Sequence, residues 1–223
     1  MSGTRSFVEA VRHLHALNKP IVADAVGGFP GLAAAAFGGV GGMCHGVGQK
    51  ESCRFSDWKR PSSGGGGSST RTYIVELDRY LKEDQLNALF EAHGGKARFA
   101  CNDSSCCAHG IEDMTENAHI HFLTQRRRQI DNLSSVPDVK RAEHFVHRHI
   151  DPAVRSARNG ARLKIADEKV KSIVVDARSR LLRLRDALDD LHISDERTGG
   201  VSRSRSPAFR GDGKPMSAIL SVK

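Results

Sequence analysis

ARFACNDSSCCAHGIEDMTENAHIH, residues 97–121, is the stretch whose reading divides the chain. Before it, short apolar runs lie among glycines and prolines. After it, from Ile111, apolar residues recur at helical spacing with little interruption. Ala97-Arg98-Phe99-Ala100 reads as a short strand that delivers Cys101 to its end, and Ile111 opens a helix. The stretch predicts an α/β portion before about residue 110 and a mainly α-helical C-terminal portion after it.

Working outward toward the N-terminus, Phe7, Val8, Val11, Leu14 and Leu17 predict an amphipathic helix over residues 5–17. Pro20-Ile21-Val22-Ala23 reads as a strand ending at Asp24, Leu32–Ala36 as a short helix, and Phe37–Val47 as a glycine-rich strand. The order suggests parallel α/β units. Residues 61–70 are a Gly/Ser-rich loop or linker. A strand at Thr72–Val75 follows, then a helix over Lys82–His93 closed by Gly94-Gly95.

Toward the C-terminus, Asp151 is placed to cap a helix whose first residue is Pro152. Val170, Val174, Ala177, Leu181, Leu184, Leu188 and Leu191 form an apolar seam at spacings of four and three. Its flanking Lys171, Arg178 and Arg185 meet no acidic complement in a parallel homodimer, which favours packing within the chain. A protein partner docking on helix 170–191 is the alternative. The resulting layout has an α/β segment at 1–60, a linker at 61–70, a domain with a Cys/His cluster at 71–192, and a disordered basic tail at 193–223.

A chain of 223 residues is too short for a complete (β/α)₈ barrel with appendages, which needs roughly 250. The net charge of +8 is spread, since residues 1–110, 111–192 and 193–223 each carry a small positive excess. It permits nucleic-acid binding without marking a basic module. The uncharged stretch Ala25–Gly48 is too rich in glycine for a spanning helix, so no membrane association is expected. Five cysteines, an odd number, and no export signal fit a reducing cytoplasm.

The strongest chemical signal is Cys101, Cys106 and Cys107 with His109, His119 and His121 nearby. Thiolates separated by a short loop and joined by an imidazole are what a tetrahedral zinc site requires. The expected ligands are Cys101, Cys106, Cys107 and His121, with His109 as substitute if Cys107 points away. Adjacent cysteines tend to diverge, and a helix from Ile111 would carry His121 about 15 Å along. Buried free thiols are the plainer reading. A second group, Asp24, Cys44, His45 and Gly46, lies where strands of open α/β structure end and is the candidate substrate-binding set. The glycines of Gly38–Gly48 fit tight packing better than phosphate binding, with no room for a side chain at Gly41, because neither GxGxxG nor a Gly-Lys-Ser/Thr motif is present.

The glycine-rich strand around Gly38–Gly48, and the downstream thiol cluster leading into helices with His121 as a fourth ligand, together resemble the closing portion of a TIM-barrel protein. The group is that of the tRNA-guanine transglycosylase-like enzymes, and the resemblance covers about residues 20–133. It implies a partial (β/α) barrel-like N-terminal portion and a zinc-stabilised protein that handles nucleobases or nucleic acid. The thiols are more widely spaced than in that family, and its aspartate nucleophile has no recognisable counterpart, so a truncated chain, inactive alone, is expected. The alternatives are a non-enzymatic helical interaction protein and a thiol-based redox-responsive protein.

Overall fold

Residues 3–24, 26–44 and 70–197 are described by the computed structural model. His45, Gly46, residues 61–69 and the tail beyond residue 197 lie outside the described residues.

The N-terminal apolar spacing produces helix α1 (Gly3–His13), which buries Val8 and Val11 and tightens into a 3₁₀ turn over Leu14–Leu17. Asn18 ends it in left-handed conformation at φ 51°. Strand β1 (Val22–Asp24), helix α2 (Gly28–Ala36) and strand β2 (Gly42–Cys44) then form a β-α-β unit. The two strands pair in parallel, Val22 opposite Gly42 and Asp24 opposite Cys44. The glycine-rich strand is shorter than expected. Phe37–Gly41 is the turn leaving α2, because the N–H groups of Phe37, Gly38 and Gly39 return to carbonyls of α2 instead of a neighbouring strand. Nor is Gly41 tight: a Cβ there would sit 3.9 Å from its nearest neighbour, the Ile21 carbonyl oxygen. The close approach is at Gly31, where a Cβ would lie 2.3 Å from the Val26 carbonyl oxygen.

Strand β3 (Arg71–Ile74) pairs antiparallel with β4 (Arg79–Lys82), Arg71 opposite Lys82. A 3₁₀ turn over Val75–Leu77 joins them, with Asp78 left-handed at φ 47°. Arg79–Lys82 carries too little apolar character to stand out as a strand. No barrel is seen among the described residues, whose strands form two separate two-stranded sheets.

Helix α3 (Glu83–Glu91) follows as expected. The strand expected at 97–100 is instead the short helix α4 (Gly95–Phe99). Gly94 turns the chain at φ 82°, and Gly95 packs on α3 where a Cβ would fall 2.0 Å from the Leu89 carbonyl oxygen. The Ala100 N–H closes onto the Lys96 carbonyl at 3.0 Å, so the backbone is satisfied without a pairing strand. A short apolar run does not distinguish the two outcomes.

The helical half begins with α5 (Ile111–Glu116) and α6 (Ala118–Ser134), separated by a kink at Asn117. Helix α7 (Asp138–Phe145) starts behind Pro137 and runs through a π-helical turn, Val146–Ile150, into α8 (Asp151–Gly160). Asp151 therefore does not cap a new helix. The wider turn accommodates Pro152 without a break, and the Asp151 carboxylate accepts from Arg185 Nε at 2.9 Å.

Helix α9 (Glu168–Arg197) is 30 residues long. It extends past the expected boundary at residue 193 because the Asp195 carboxylate accepts two bonds from Arg12, both at 2.8 Å. The same guanidinium donates to the Phe37 carbonyl. The seam Val170, Val174, Ala177, Leu181 and Leu188 is fully buried within this one chain. Each such leucine contributes about 2 kcal/mol. α1 packs on α9 and α2 on α7, so one apolar cluster runs from Val8 to Leu191 through both halves. No described helix is long and apolar enough to cross a membrane.

Candidate metal centre

The loop between α4 and α5 is organised by Asp103. Its carbonyl accepts the N–H groups of Cys106 and Cys107 at 2.9 and 2.7 Å, and its carboxylate accepts the Ser105 N–H at 3.0 Å. Arg128 of α6 pairs with the same carboxylate. This tight turn brings the neighbouring thiols Cys106 and Cys107 to the same side, with their sulfurs 3.8 Å apart. The Cys101 N–H meets the Met114 sulfur at 3.4 Å, which holds the loop's first thiol beside α5.

His121 reaches the loop because α5 and α6 are two helices. Asn117, at φ −106° and ψ 39°, breaks the run and redirects the chain, placing His121 in the first turn of α6. The long return along a single helix is thereby avoided. His121 is buried, and its Nε2 lies 3.0 Å from the Tyr73 carbonyl oxygen of β3. A carbonyl only accepts, so Nε2 carries the proton and Nδ1 presents its lone pair to the sulfurs. Nδ1 sits 3.3 Å from Cys107 Sγ and 3.5 Å from Cys106 Sγ.

The four ligand atoms of Cys101, Cys106, Cys107 and His121 all lie within 4.8 Å of one another, and the group can hold a metal ion. For a tetrahedral ion with metal–sulfur bonds of about 2.3 Å and a metal–nitrogen bond of about 2.0 Å, sulfur–sulfur edges are about 3.8 Å and sulfur–nitrogen edges about 3.5 Å. The Cys106–Cys107 sulfur separation of 3.8 Å and the His121 Nδ1 separations of 3.3 and 3.5 Å are close to those edges, and Cys101 completes a group whose ligand atoms lie within 4.8 Å of one another. A carbonyl orienting the ligand imidazole and an amide on a ligand sulfur, Gln125 Nε2 to Cys101 at 3.5 Å, supply the outer support that metal sites use.

Burial also sets the proton balance that ion binding would require. Burial, joined by the neighbouring Cys106, pushes the Cys101 thiol up to about 11, with a partly offsetting bond to Cys107. Burial and then the contact with Cys101 push Cys107 up as well. Three thiolates crowded together repel one another unless a cation compensates them, so binding an ion releases protons. Burial holds His121 below the ordinary imidazole value, and a neutral imidazole is the ligand form.

The remaining expected site residues lie elsewhere. His109 is exposed and bonded to Asp113, and His119 is exposed, so neither joins the cluster. Asp24 and Cys44 face each other across the end of the β1–β2 sheet, both exposed and apart from the cluster. Beside the cluster is a cavity of about 340 Å³, lined by Cys101, His121, Glu76, Asn102, Phe99 and Gln125 among others. Burial raises the Glu76 carboxyl to about 7. The sequence reading misses Tyr73, Glu76 and Gln125. Only Gln125 carried a signal, its spacing of four from His121, whereas a backbone carbonyl such as Tyr73's leaves none.

The centre is tied to the rest of the core through Tyr73. Its hydroxyl donates to Asp78 at 2.8 Å, and the buried Asp78 carboxylate takes the Phe29 N–H and an Arg180 N–H of α9. Comparison of the chain with family models, curated proteins and solved structures found no match.

Proposed function

We propose that this is a zinc-stabilised cytoplasmic protein that handles nucleobases or nucleic acid, and that its zinc is structural. The observation that carries the zinc half is the convergence of three sulfurs and a correctly presented Nδ1 within 4.8 Å of one another, with Cys106, Cys107 and His121 close to tetrahedral edge lengths. Three soft thiolates with one imidazole select zinc over the hard cations. Four protein ligands fill the tetrahedron, so the ion fastens the cysteine loop to α6, which packs on β3. A reducing compartment keeps the thiols available for it.

The nucleic-acid half is supported by the resemblance that the thiol cluster leading into helices bears to the transglycosylase-like group and by the net charge of +8. No catalytic step is assigned to this chain. Cobalt substitution tests the centre. A tetrahedral thiolate-rich site gives intense visible bands together with near-ultraviolet sulfur-to-metal charge transfer, at one equivalent per chain. Weak octahedral spectra, or spectra unchanged in Cys106→Ser and His121→Ala, would remove the proposal.

A further inference from the structure

Around α8 the chain carries positive charge with little acidic opposition. Residues 148–166 contain Arg148, Arg155, Arg158, Arg162 and Lys164 but one acid, Asp151, and residues 92–102 contain none. Asp151 is engaged by Arg185 and His147. On α8 the buried residues are Ala153, Val154, Ala157 and Gly160. Arg155 and Arg158 stand exposed on the other side, with exposed Arg148 in the π-helical turn before α8 and exposed Arg162 in the turn after it. Helix α4, which carries the exposed Lys96, packs beside α8, where Phe99 leaves no space for a Cβ at Gly160. None of these six cations pairs with a carboxylate among the described residues.

We propose that this face, Arg148, Arg155, Arg158 and Arg162 with Lys96 and Lys164, docks the phosphate backbone of a nucleic-acid duplex without reading its sequence. The proposal rests on the nucleic-acid part of the function proposed above and makes no use of the metal. Arg155 and Arg158 lie three residues apart, about 4.5 Å along α8, so their guanidinium groups can engage neighbouring phosphates of one strand. Arginine's planar fork suits phosphate oxygens. Single strands are held by aromatic platforms, and membrane surfaces take exposed Trp, Phe or Leu. Among the described residues the face has neither: the exposed large apolar residues are Leu14, Leu17, Val22, Ile120, Val139 and Ile193, none of them on α4 or α8.

The test is fluorescence anisotropy of the full chain with a labelled mixed-sequence duplex, titrated across a salt series. The wild type is expected to bind in about the micromolar range at low salt, with a log–log salt slope near −5 for six phosphate contacts. Arg155→Glu/Arg162→Glu should weaken binding by at least about tenfold and flatten the slope by about two. Metal content and Tm should stay the same, because both side chains are exposed. Arg155→Lys/Arg162→Lys should retain most binding. Full affinity in the charge-reversed variant would refute this face and leave nucleic-acid handling standing. Failure of the wild type to bind either duplex or single strand would remove both. Preference for a single strand, for phosphatidylserine vesicles or for polyglutamate over the duplex would overturn the stated occupant.

Discussion

Two regions carry dense chemical signals in this chain, and the fold treats them in opposite ways. In the cysteine loop and α6, residues far apart in a straight-helix reading converge until their ligand atoms lie within 4.8 Å of one another. In the β-α-β unit, Asp24 and Cys44 stay exposed at a sheet end, and the glycines serve a turn and a helix packing contact. A cluster in sequence becomes a site only where the backbone is bent to close it. Here that bend is made by Asp103 and Asn117. Where the backbone simply continues, the same residue types remain surface.

Four substitutions test this contrast, beginning with the largest expected effect. His121→Ala should abolish metal retention and cost several kcal/mol, lowering Tm by roughly 10 °C in a melting scan. Cys44→Ser should alter neither quantity, and a comparable loss there would erase the distinction between the two regions. Next, Gly31→Val should destabilise by about 3 kcal/mol in a urea titration, because its Cβ meets the Val26 backbone. Gly41→Ala should be nearly neutral, given 3.9 Å to its nearest neighbour. The reverse order would restore the glycine-rich segment as a packed strand.

Arg12→Ala removes the two bonds that bind α9 to the N-terminal unit through Asp195. We expect a loss of about 1 kcal/mol and faster amide exchange over the last turns of α9, with the metal retained. The smallest effect depends on pH. The Glu76 carboxyl is raised to about 7 by burial, so its ionised form is disfavoured in the folded chain. The unfolded chain then binds fewer protons than the folded one between the ordinary carboxyl value and about 7, and stability falls as pH rises through that window. Glu76→Gln should raise Tm at pH 8 and have little effect near pH 4.5. A gain of equal size at both would show that charge is not the cause.

Much of this architecture was legible. The apolar seam of α9 and the parallel α/β opening both follow from periodicity and turn residues, and the four metal-centre residues were readable from thiol clustering. What escaped the sequence was tertiary in origin. Residues 97–100 carry strand-compatible side chains, yet Gly95 packed against α3 commits them to a helix turn. Asp151-Pro152 looks like a helix start, but a π-helical turn carries the chain through it. The tail boundary moved because Arg12, more than 180 residues away, holds Asp195. The Tyr73 carbonyl that orients His121 is a backbone group and leaves no trace in residue identity.

Native mass spectrometry of the tag-free protein, purified without added metal, tests the central claim most directly when paired with a melting curve with and without chelator. One zinc per chain is expected in the wild type and none in Cys107→Ser, with Tm falling on chelation in the wild type alone. A wild-type mass equal to the bare polypeptide, with a melting curve that the chelator does not move, would contradict the account and leave Cys101, Cys106, Cys107 and His121 as a packed cluster of free thiols around a histidine.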